Sequence, residues 1–169
     1  MQGRNNMKAR RIAPILLVLM ATLLTGCIGG SSSTGTIKTD EELAIGQVEK
    51  LLEGYRQLDA TVMGDAVAPI IRFTGRDVMG ESISEQYTRE EFVTGFQVMF
   101  DESGAFPEDW VPPTFGPLKP ATVGSNIIVI MDILSEGESQ ADTWAFTLVK
   151  SSGKWLISEW YVDAYRDSQ

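Results

Sequence analysis

Four carboxylates and one tyrosine are the first candidates in this sequence for acid–base chemistry. The chain contains no histidine, which removes the usual general base, the commonest metal ligand and every Ser-His-Asp or Cys-His site. A site that moves a proton would instead need an aspartate or glutamate as base and a hydroxyl as hydrogen-bond donor. The candidate residues are Asp77, Asp132, Glu159, Asp163 and Tyr55.

Asp132 is the most informative candidate because it interrupts the apolar run Ile127–Leu134. A carboxylate in such a run is costly unless it lies in a pocket or at the surface. In a pocket beside a tryptophan or tyrosine, burial would raise the pKa of Asp132 and suit it to general acid or base catalysis. At the surface it would face water on an exposed side of a sheet, and this second position is the one that we expect.

Cys27 is the only cysteine, and it follows a short apolar segment. Basic residues at positions 8, 10 and 11 precede thirteen almost uniformly apolar residues, 12–24. A membrane-spanning helix needs roughly 20 such residues, so the segment predicts a secretory signal peptide. The junction Leu24-Thr25-Gly26-Cys27 resembles the lipobox of bacterial lipoproteins, in which the cysteine becomes the first mature residue and carries a diacylglycerol. An ordinary signal peptide with an unrelated cysteine is the alternative.

These signals divide the chain into three parts. Residues 1–26 are the predicted signal peptide, 27–38 the lipidated cysteine with a Gly/Ser/Thr-rich tether, and 39–169 one folded domain. Residues 1–26 carry four basic and no acidic side chains, so their removal changes the net charge from −9 to −13. Such an acidic surface argues against nucleic-acid binding. We therefore expect an exported protein anchored to the membrane through Cys27, on the periplasmic face of the outer membrane if the bacterium has two membranes.

Two capping boxes mark the starts of helices. In Thr39–Glu42 and in Thr88–Glu91, a threonine can cap the helix while the glutamate three residues later caps the threonine in return. An apolar stripe at three- and four-residue steps continues each helix, the second one to about Gly104. Between them the pattern predicts a short helix across Asp65–Ile71 and a strand across Asp77–Tyr87.

The remainder of the chain changes to the two-residue period of strands. Five prolines between Phe106 and Pro120 predict a loop with one edge-strand segment. Alternating or apolar runs after it predict an antiparallel meander. Its three strands are Ile127–Leu134, Asp142–Lys150 and Lys154–Tyr165.

The hairpin between the last two strands decides which side chains they bury. A two-residue turn at Ser152-Gly153 would place Glu159 on the face of Trp144, whereas a three-residue loop closed by Gly153 would exchange the faces. We favour the three-residue loop because it gathers apolar residues on one face: Trp144, Phe146, Leu148, Leu156, Trp160 and Val162. The outer face then carries Trp155, Ile157, Glu159, Tyr161 and Asp163.

Helices followed by a bent antiparallel sheet make an α+β protein. Three segments resemble parts of the nuclear-transport-factor-like superfamily: "LLEGYRQLD" its opening helix, "MGD" its Gly-Asp turn, and "TWAFTLVKSSGKWLISEWYVD" its closing strands. Polyketide cyclases share the cone-shaped, cystatin-like fold of this superfamily. The resemblance implies helices packed in the concave face of a strongly curved sheet around a pocket. The expected pocket residues are Leu52, Tyr55, Phe96, Phe100, Trp144, Phe146 and Trp160.

The resemblance leaves several functions open, because the superfamily includes isomerases, dehydratases, cyclases, binding modules and assembly domains. We expect the domain to bind a small apolar ligand or an envelope protein without catalysis, and with neither cofactor nor metal. A pocket enzyme of the isomerase, dehydratase or cyclase kind with an Asp or Glu base is the first alternative. Self-association is the second, since an outer sheet face bearing Trp155, Ile157 and Tyr161 would pair two copies.

Replacing Cys27 tests the predicted anchor. The variant Cys27→Ala should leave the detergent phase and appear as a soluble or an uncleaved protein, because it offers no thiol for acylation. Mass spectrometry of the wild-type N-terminus should show a lipidated Cys27. An unmodified mature N-terminus at another residue would show that the lipobox interpretation is wrong.

Overall fold

A computed structural model describes residues 37–77, 79–101, 106 and 110–164. The predicted signal peptide, Cys27 and most of the tether lie outside these residues. The helices are α1 (Asp40–Gln57), α2 (Ala60–Gly64) and α3 (Arg89–Asp101). The strands are β1 (Val67–Arg76), β2 (Ser82–Thr88), β3 (Thr114–Phe115), β4 (Lys119–Val123), β5 (Asn126–Leu134), β6 (Asp142–Ser151) and β7 (Lys154–Asp163). Within the described part of the chain, no helix is both long enough and apolar enough to cross a membrane.

Both capping boxes are confirmed. The Thr39 amide donates to the Glu42 carboxylate at 2.7 Å, and the Glu42 amide donates back to the Thr39 hydroxyl at 3.2 Å. The same pair of bonds joins Thr88 and Glu91, at 2.8 and 3.2 Å, and so starts α3. Because each box satisfies backbone amides that have no partner inside the helix, the first residue of each helix was readable from the sequence.

The predicted helix across Asp65–Ile71 is wrong. The helix of this region is α2, which the Asp59 carboxylate caps by accepting from the Thr61 and Val62 amides at 3.0 Å. From Val67 the chain is already in β1, since Pro69 has no amide hydrogen to donate within a helix. The predicted strand across Asp77–Tyr87 is only partly correct, because a turn precedes β2 and the Asp77 carboxylate accepts from the Met79 and Glu81 amides in it.

The strands form one curved, unclosed sheet in the order β2-β1-β7-β6-β5-β3, with β4 also paired to β5. The predicted α+β class and the antiparallel meander β5–β6–β7 are confirmed. The pairing of β1 with β7 is parallel, which the sequence pattern did not show. The proline-rich segment contributes two short strands, β3 and β4, instead of one, and both pair with β5.

The last hairpin combines a two-residue turn with a β-bulge at Ser158. Ser151 lies opposite Lys154, so Ser152-Gly153 is a two-residue turn with positive φ at both residues, and the favoured three-residue loop is wrong. Thr147 nevertheless pairs with Glu159 while the next residue, Leu148, pairs with Ile157, which leaves Ser158 as the extra residue. The bulge reverses the alternation of side chains along β7.

This reversal changes which residues the sheet buries. As expected, Trp160 lies opposite Phe146 and Val162 opposite Trp144 on the inner face. Trp155 and Ile157, which the favoured register placed outside, are instead buried with exposed fractions of 6% and 0%. They join a core formed by α1, α2, α3 and the inner face of the sheet, within one compact unit, Thr36–Gln169.

Gly75 allows β1 to lie directly beside β7. Its φ is +137°, and a Cβ atom at this position would lie 1.8 Å from the carbonyl oxygen of Val162. We expect Gly75→Ala to lower the free energy of unfolding of fragment 36–169 by at least about 2 kcal/mol, because backbone strain and a clash with main chain combine. Urea denaturation followed by circular dichroism measures the change.

Gly124→Ala is the matched control. Gly124 also has positive φ, at +62°, but nothing lies within 4 Å of the position that a Cβ atom would occupy, so only backbone strain of about 1 kcal/mol is expected. Equal losses for the two variants would contradict the close approach of the two strands at Gly75.

Candidate functional site

Two of the candidate carboxylates, Asp77 and Asp132, each contact a polar group of a neighbouring residue. Asp77 holds the turn between β1 and β2 through the two amide bonds described above. Asp132 lies on β5 with a half-exposed side chain, 3.6 Å from the Lys119 ammonium on β4. The expectation that Asp132 faces water is therefore confirmed.

Glu159 and Asp163 lie on the outer face of the sheet, as expected. The Thr74 hydroxyl donates to Glu159 at 2.8 Å, and the Arg76 guanidinium contacts Asp163 at 2.8 Å. The hydrogen bond to Asp163 raises the pKa of Arg76 above its ordinary value. Tyr161 also approaches Asp163, at 3.5 Å, so these side chains form a polar network across β1 and β7.

Tyr55 lies on the opposite, helix-covered side of the sheet. Its ring meets five aromatic rings edge-on at centroid distances of 5.8–6.4 Å: Phe100, Phe106, Trp110, Phe115 and Trp144. Burial raises the pKa of Tyr55 above its ordinary value. The sheet separates Tyr55 from Glu159, Asp163 and Asp132, so these residues do not form the pair of carboxylate base and tyrosine donor that the enzyme alternative needs.

The seven predicted pocket residues mostly pack against one another. Trp160 lies 4.6 Å from Trp144, 5.4 Å from Phe146 and 5.1 Å from Phe73 between ring centroids. We call the rings around Trp160 the aromatic cluster, which consists of Phe73, Phe92, Phe96, Trp144, Phe146 and Trp160. The cluster fills the inner face of the sheet at this position, and each of the two cavities described below has one of the seven predicted residues in its lining.

A cavity at the edge of the sheet lies between β2 and α3, and we call it the β2–α3 groove. Its volume is 290 Å³, and its lining residues are Phe73, Ile83, Glu85, Tyr87, Glu91, Phe92, Gly95, Phe96 and Met99. Of the predicted pocket residues, Phe96 lines this groove. Leu52 lines a second cavity, of 530 Å³, between α1 and the β3–β4 segment.

The backbone register explains how the groove forms. Ile83 pairs with Gly75 and Glu85 with Phe73, so alternate β2 side chains project on the same face as Phe73. Helix α3 supplies the other wall at three- and four-residue steps. Gly95 has open space where a Cβ atom would stand, and its missing side chain therefore keeps the groove open.

Two carboxylates and a phenol stand on the walls of the groove. The Tyr87 hydroxyl donates to the exposed Glu85 carboxylate, and this bond raises the pKa of Tyr87. Glu91 Oε2 accepts from the Thr88 amide at 2.8 Å and from the Thr88 hydroxyl at 2.9 Å, which lowers the pKa of Glu91. The groove therefore combines an aromatic floor with negative charge at its walls.

Glu85, Tyr87 and Glu91 are site residues that the sequence pattern did not single out. The available signal was the alternation of Ile83, Glu85 and Tyr87 along one predicted strand, directly before the aromatic stripe of α3. It could not show that the two elements face each other across a cavity. No group of three or more acidic, cysteine or histidine side chains in the described ranges could hold a metal ion.

Comparison with solved structures gives the fold. An NTF2-like protein of unknown function from Shewanella baltica has a TM-score of 0.53 at 20% identity, covering 71% of this chain and 89% of its own. Another from Pseudomonas putida has a TM-score of 0.59 at 12% identity, covering 76% and 89%. A protein from Streptomyces avermitilis, provisionally described as a dehydratase of the NTF2-like family, has a TM-score of 0.53 at 11% identity, covering 73% and 94%.

These likenesses establish an NTF2-like fold and no specific function. No protein-family model matches the sequence, and no curated protein matches it. The resemblance of the helix and hairpin segments to the nuclear-transport-factor-like superfamily is thus confirmed at the level of the fold.

Titration of Tyr87 tests the contact at the groove. Because the folded-state pKa of Tyr87 is raised, the stability from its bond with Glu85 is present below a pH of about 10 and is lost as the pH rises through the folded-state pKa. We expect Glu85→Gln to lower the pKa of Tyr87, measured by phenolate absorbance, with Tyr87→Phe identifying the signal. Glu90→Gln, on the first turn of α3, should leave the pKa of Tyr87 unchanged. An unchanged Tyr87 midpoint in Glu85→Gln would contradict the contact.

Proposed function

We propose that this protein is an exported, lipid-anchored binding protein whose domain holds a small apolar ligand in the β2–α3 groove, without catalysis. The observation that carries the proposal is the open groove itself, whose floor consists of Phe73, Phe92 and Phe96. Ligand sites are concave and mainly apolar, with few polar groups, and typically measure about 300–1,000 Å³. At 290 Å³ the groove lies at the small end of that range, which suits a small ligand.

The positions of the carboxylates favour binding over catalysis. A general base in an NTF2-like pocket would need to lie within about 3 Å of the proton that it moves, in surroundings that tune its pKa. Asp132, Glu159 and Asp163 lie on the outer face, and Glu85 is exposed at the wall of the groove. An enzyme of the isomerase, dehydratase or cyclase kind that used this groove would have to take Glu85 or Glu91, both exposed, as its base, with Tyr87 as donor.

The self-association alternative loses two of the three residues on which it rested. Trp155 and Ile157, on which that alternative depended, belong to the core. Of the three expected residues, Tyr161 alone remains on the outer face, beside the Arg76–Asp163 ion pair. The surface around Tyr161 is therefore charged and internally paired, which suits the core of a dimer interface poorly, whereas Ile130 and Leu134 of β5 are exposed apolar side chains elsewhere on this face.

The lipid anchor completes the proposal. Cys27 would hold the domain near a membrane, and a tether of residues 28–38 would allow the groove to meet ligands there. In a bacterium with two membranes, Ile28 after the cysteine would direct the protein to the periplasmic face of the outer membrane. An acidic domain would remain clear of anionic headgroups while the acyl chains hold it.

Filling the groove tests the binding proposal. Gly95→Leu places a side chain in open space on the groove wall, so it should fill the cavity without disturbing the core. We expect fragment 36–169 to bind the neutral fluorescent probe N-phenyl-1-naphthylamine saturably. Gly95→Leu should weaken the Kd at least tenfold, about 1.4 kcal/mol.

Gly46→Leu is the matched control, because Gly46 also lies in a helix, with nothing within 4 Å of an added Cβ, but does not line the groove. Its Kd should equal that of the wild type. The proposal is overturned if the wild type shows no saturable binding, or if Gly95→Leu binds the probe as tightly as Gly46→Leu.

A further inference from the structure

We infer that the ligand of the β2–α3 groove carries an organic cation, an ammonium-type group, on its apolar body. The inference rests on the proposed binding function and adds the chemical class of the ligand. The supporting observation is that one cavity contains both aromatic rings and two carboxylates, and that the two carboxylates lie on opposite walls.

The floor of the groove offers aromatic rings to a cation. Phe73 lies 6.0 Å from Tyr87 in an edge-on arrangement and 6.0 Å from Phe92 in a stacked one, while Phe92 and Phe96 are 4.8 Å apart. All four rings line the cavity. Ring faces attract ammonium groups by about 0.5–2 kcal/mol, with the larger values where water is excluded.

The two carboxylates supply the opposite charge. Glu85 projects from β2 and Glu91 from the first turn of α3, so a cation between the walls would meet both. Both bonds that Glu91 accepts from Thr88 end on Oε2, and no bond to Oε1 is present in the part of the chain that the structure describes. That second oxygen is available to a ligand.

No basic side chain of the groove walls competes for these carboxylates. Ser82–Thr88 contains no lysine or arginine, and α3 contains only Arg89. Arg89 donates to the Val67 carbonyl, on the side of the helix that faces α2 and β1. Arg72 and Arg76 of β1 alternate with Phe73 and therefore lie on the outer face of the sheet.

The chemistry of the lining favours an organic cation over a metal ion or an anion. A hard metal ion needs several oxygen ligands, whereas the groove offers two carboxylates, one phenol and a hydrocarbon floor. An anionic ligand would bring like charges together beside Glu85 and Glu91, which costs affinity. A neutral ligand would gain no charge attraction from either carboxylate.

Three amphiphiles with the same alkyl chain test the charge preference on fragment 36–169. Dodecyltrimethylammonium, dodecyl maltoside and dodecyl sulfate, each below its micellar concentration, compete with bound N-phenyl-1-naphthylamine. We expect the ammonium compound to bind at least about fivefold more tightly than the maltoside, and the sulfate more weakly than both.

Charge-neutralising variants assign the preference to the groove. Glu85→Gln and Glu91→Gln should each weaken binding of the ammonium compound by about two- to fivefold, a larger change than either variant makes to binding of the neutral probe. Glu90→Gln removes the same charge from the same turn of α3, but Glu90 does not line the groove, so this control should bind like the wild type.

The outcomes separate the two proposals. If the neutral probe binds but the three amphiphiles compete equally, the cation inference is wrong and the binding function stands. The inference also fails if Glu90→Gln weakens ammonium binding as much as Glu91→Gln, because the effect would then come from general surface charge. If neither the probe nor any amphiphile binds saturably, both proposals fail.

Discussion

The packing of Trp160 within the aromatic cluster is the interaction on which the rest of this structure depends. Its ring contacts Phe73 of β1, Phe96 of α3 and Phe146 of β6, so it joins sheet and helix at one point. The Trp160 indole N–H is buried without a hydrogen-bond acceptor in the described part of the chain. Such a group costs about 1–3 kcal/mol, which is less than the about 3–5 kcal/mol that truncation of a buried aromatic side chain typically costs.

The cluster also determines where a ligand could enter. The rings around Trp160 occupy the inner face of the sheet at this position. One cavity lies at the sheet edge, where Phe73 and Phe96 contact Trp160 and also line the β2–α3 groove. The same rings therefore hold the core together and form the floor of the groove.

The sequence predicted features that depend on local chemistry. The starts of α1 and α3 could be read because a capping box needs only four neighbouring residues, and the meander because alternation repeats along each strand. The α+β class followed from these elements, and the NTF2-like fold from the resemblance of three segments to the nuclear-transport-factor-like superfamily. The placement of Glu159 and Asp163 on the outer face was also correct, although the turn from which it was argued was wrong.

The features that the sequence did not predict depend on contacts between distant residues. The bulge at Ser158 is a single inserted residue, and it can be recognised only from the pairing of β7 with β6. The alternation pattern alone therefore placed Trp155 and Ile157 on the outer face of the sheet, whereas they are buried on the inner face. The groove was missed for the same reason, since its walls are a strand and a helix whose mutual position depends on the packing of Phe73 between them.

The position of β2 at the end of the sheet has a consequence for the solubility of the protein. An edge strand presents unpaired backbone groups to which another chain can add, and proteins suppress this by placing charged side chains on such strands, some of them pointing inward. Glu85 is a charged residue of this kind, since it shares the inner face with Phe73. A neighbouring copy that extended the sheet would have to bury that carboxylate, so the residue that gives the groove its charge also opposes edge-to-edge aggregation.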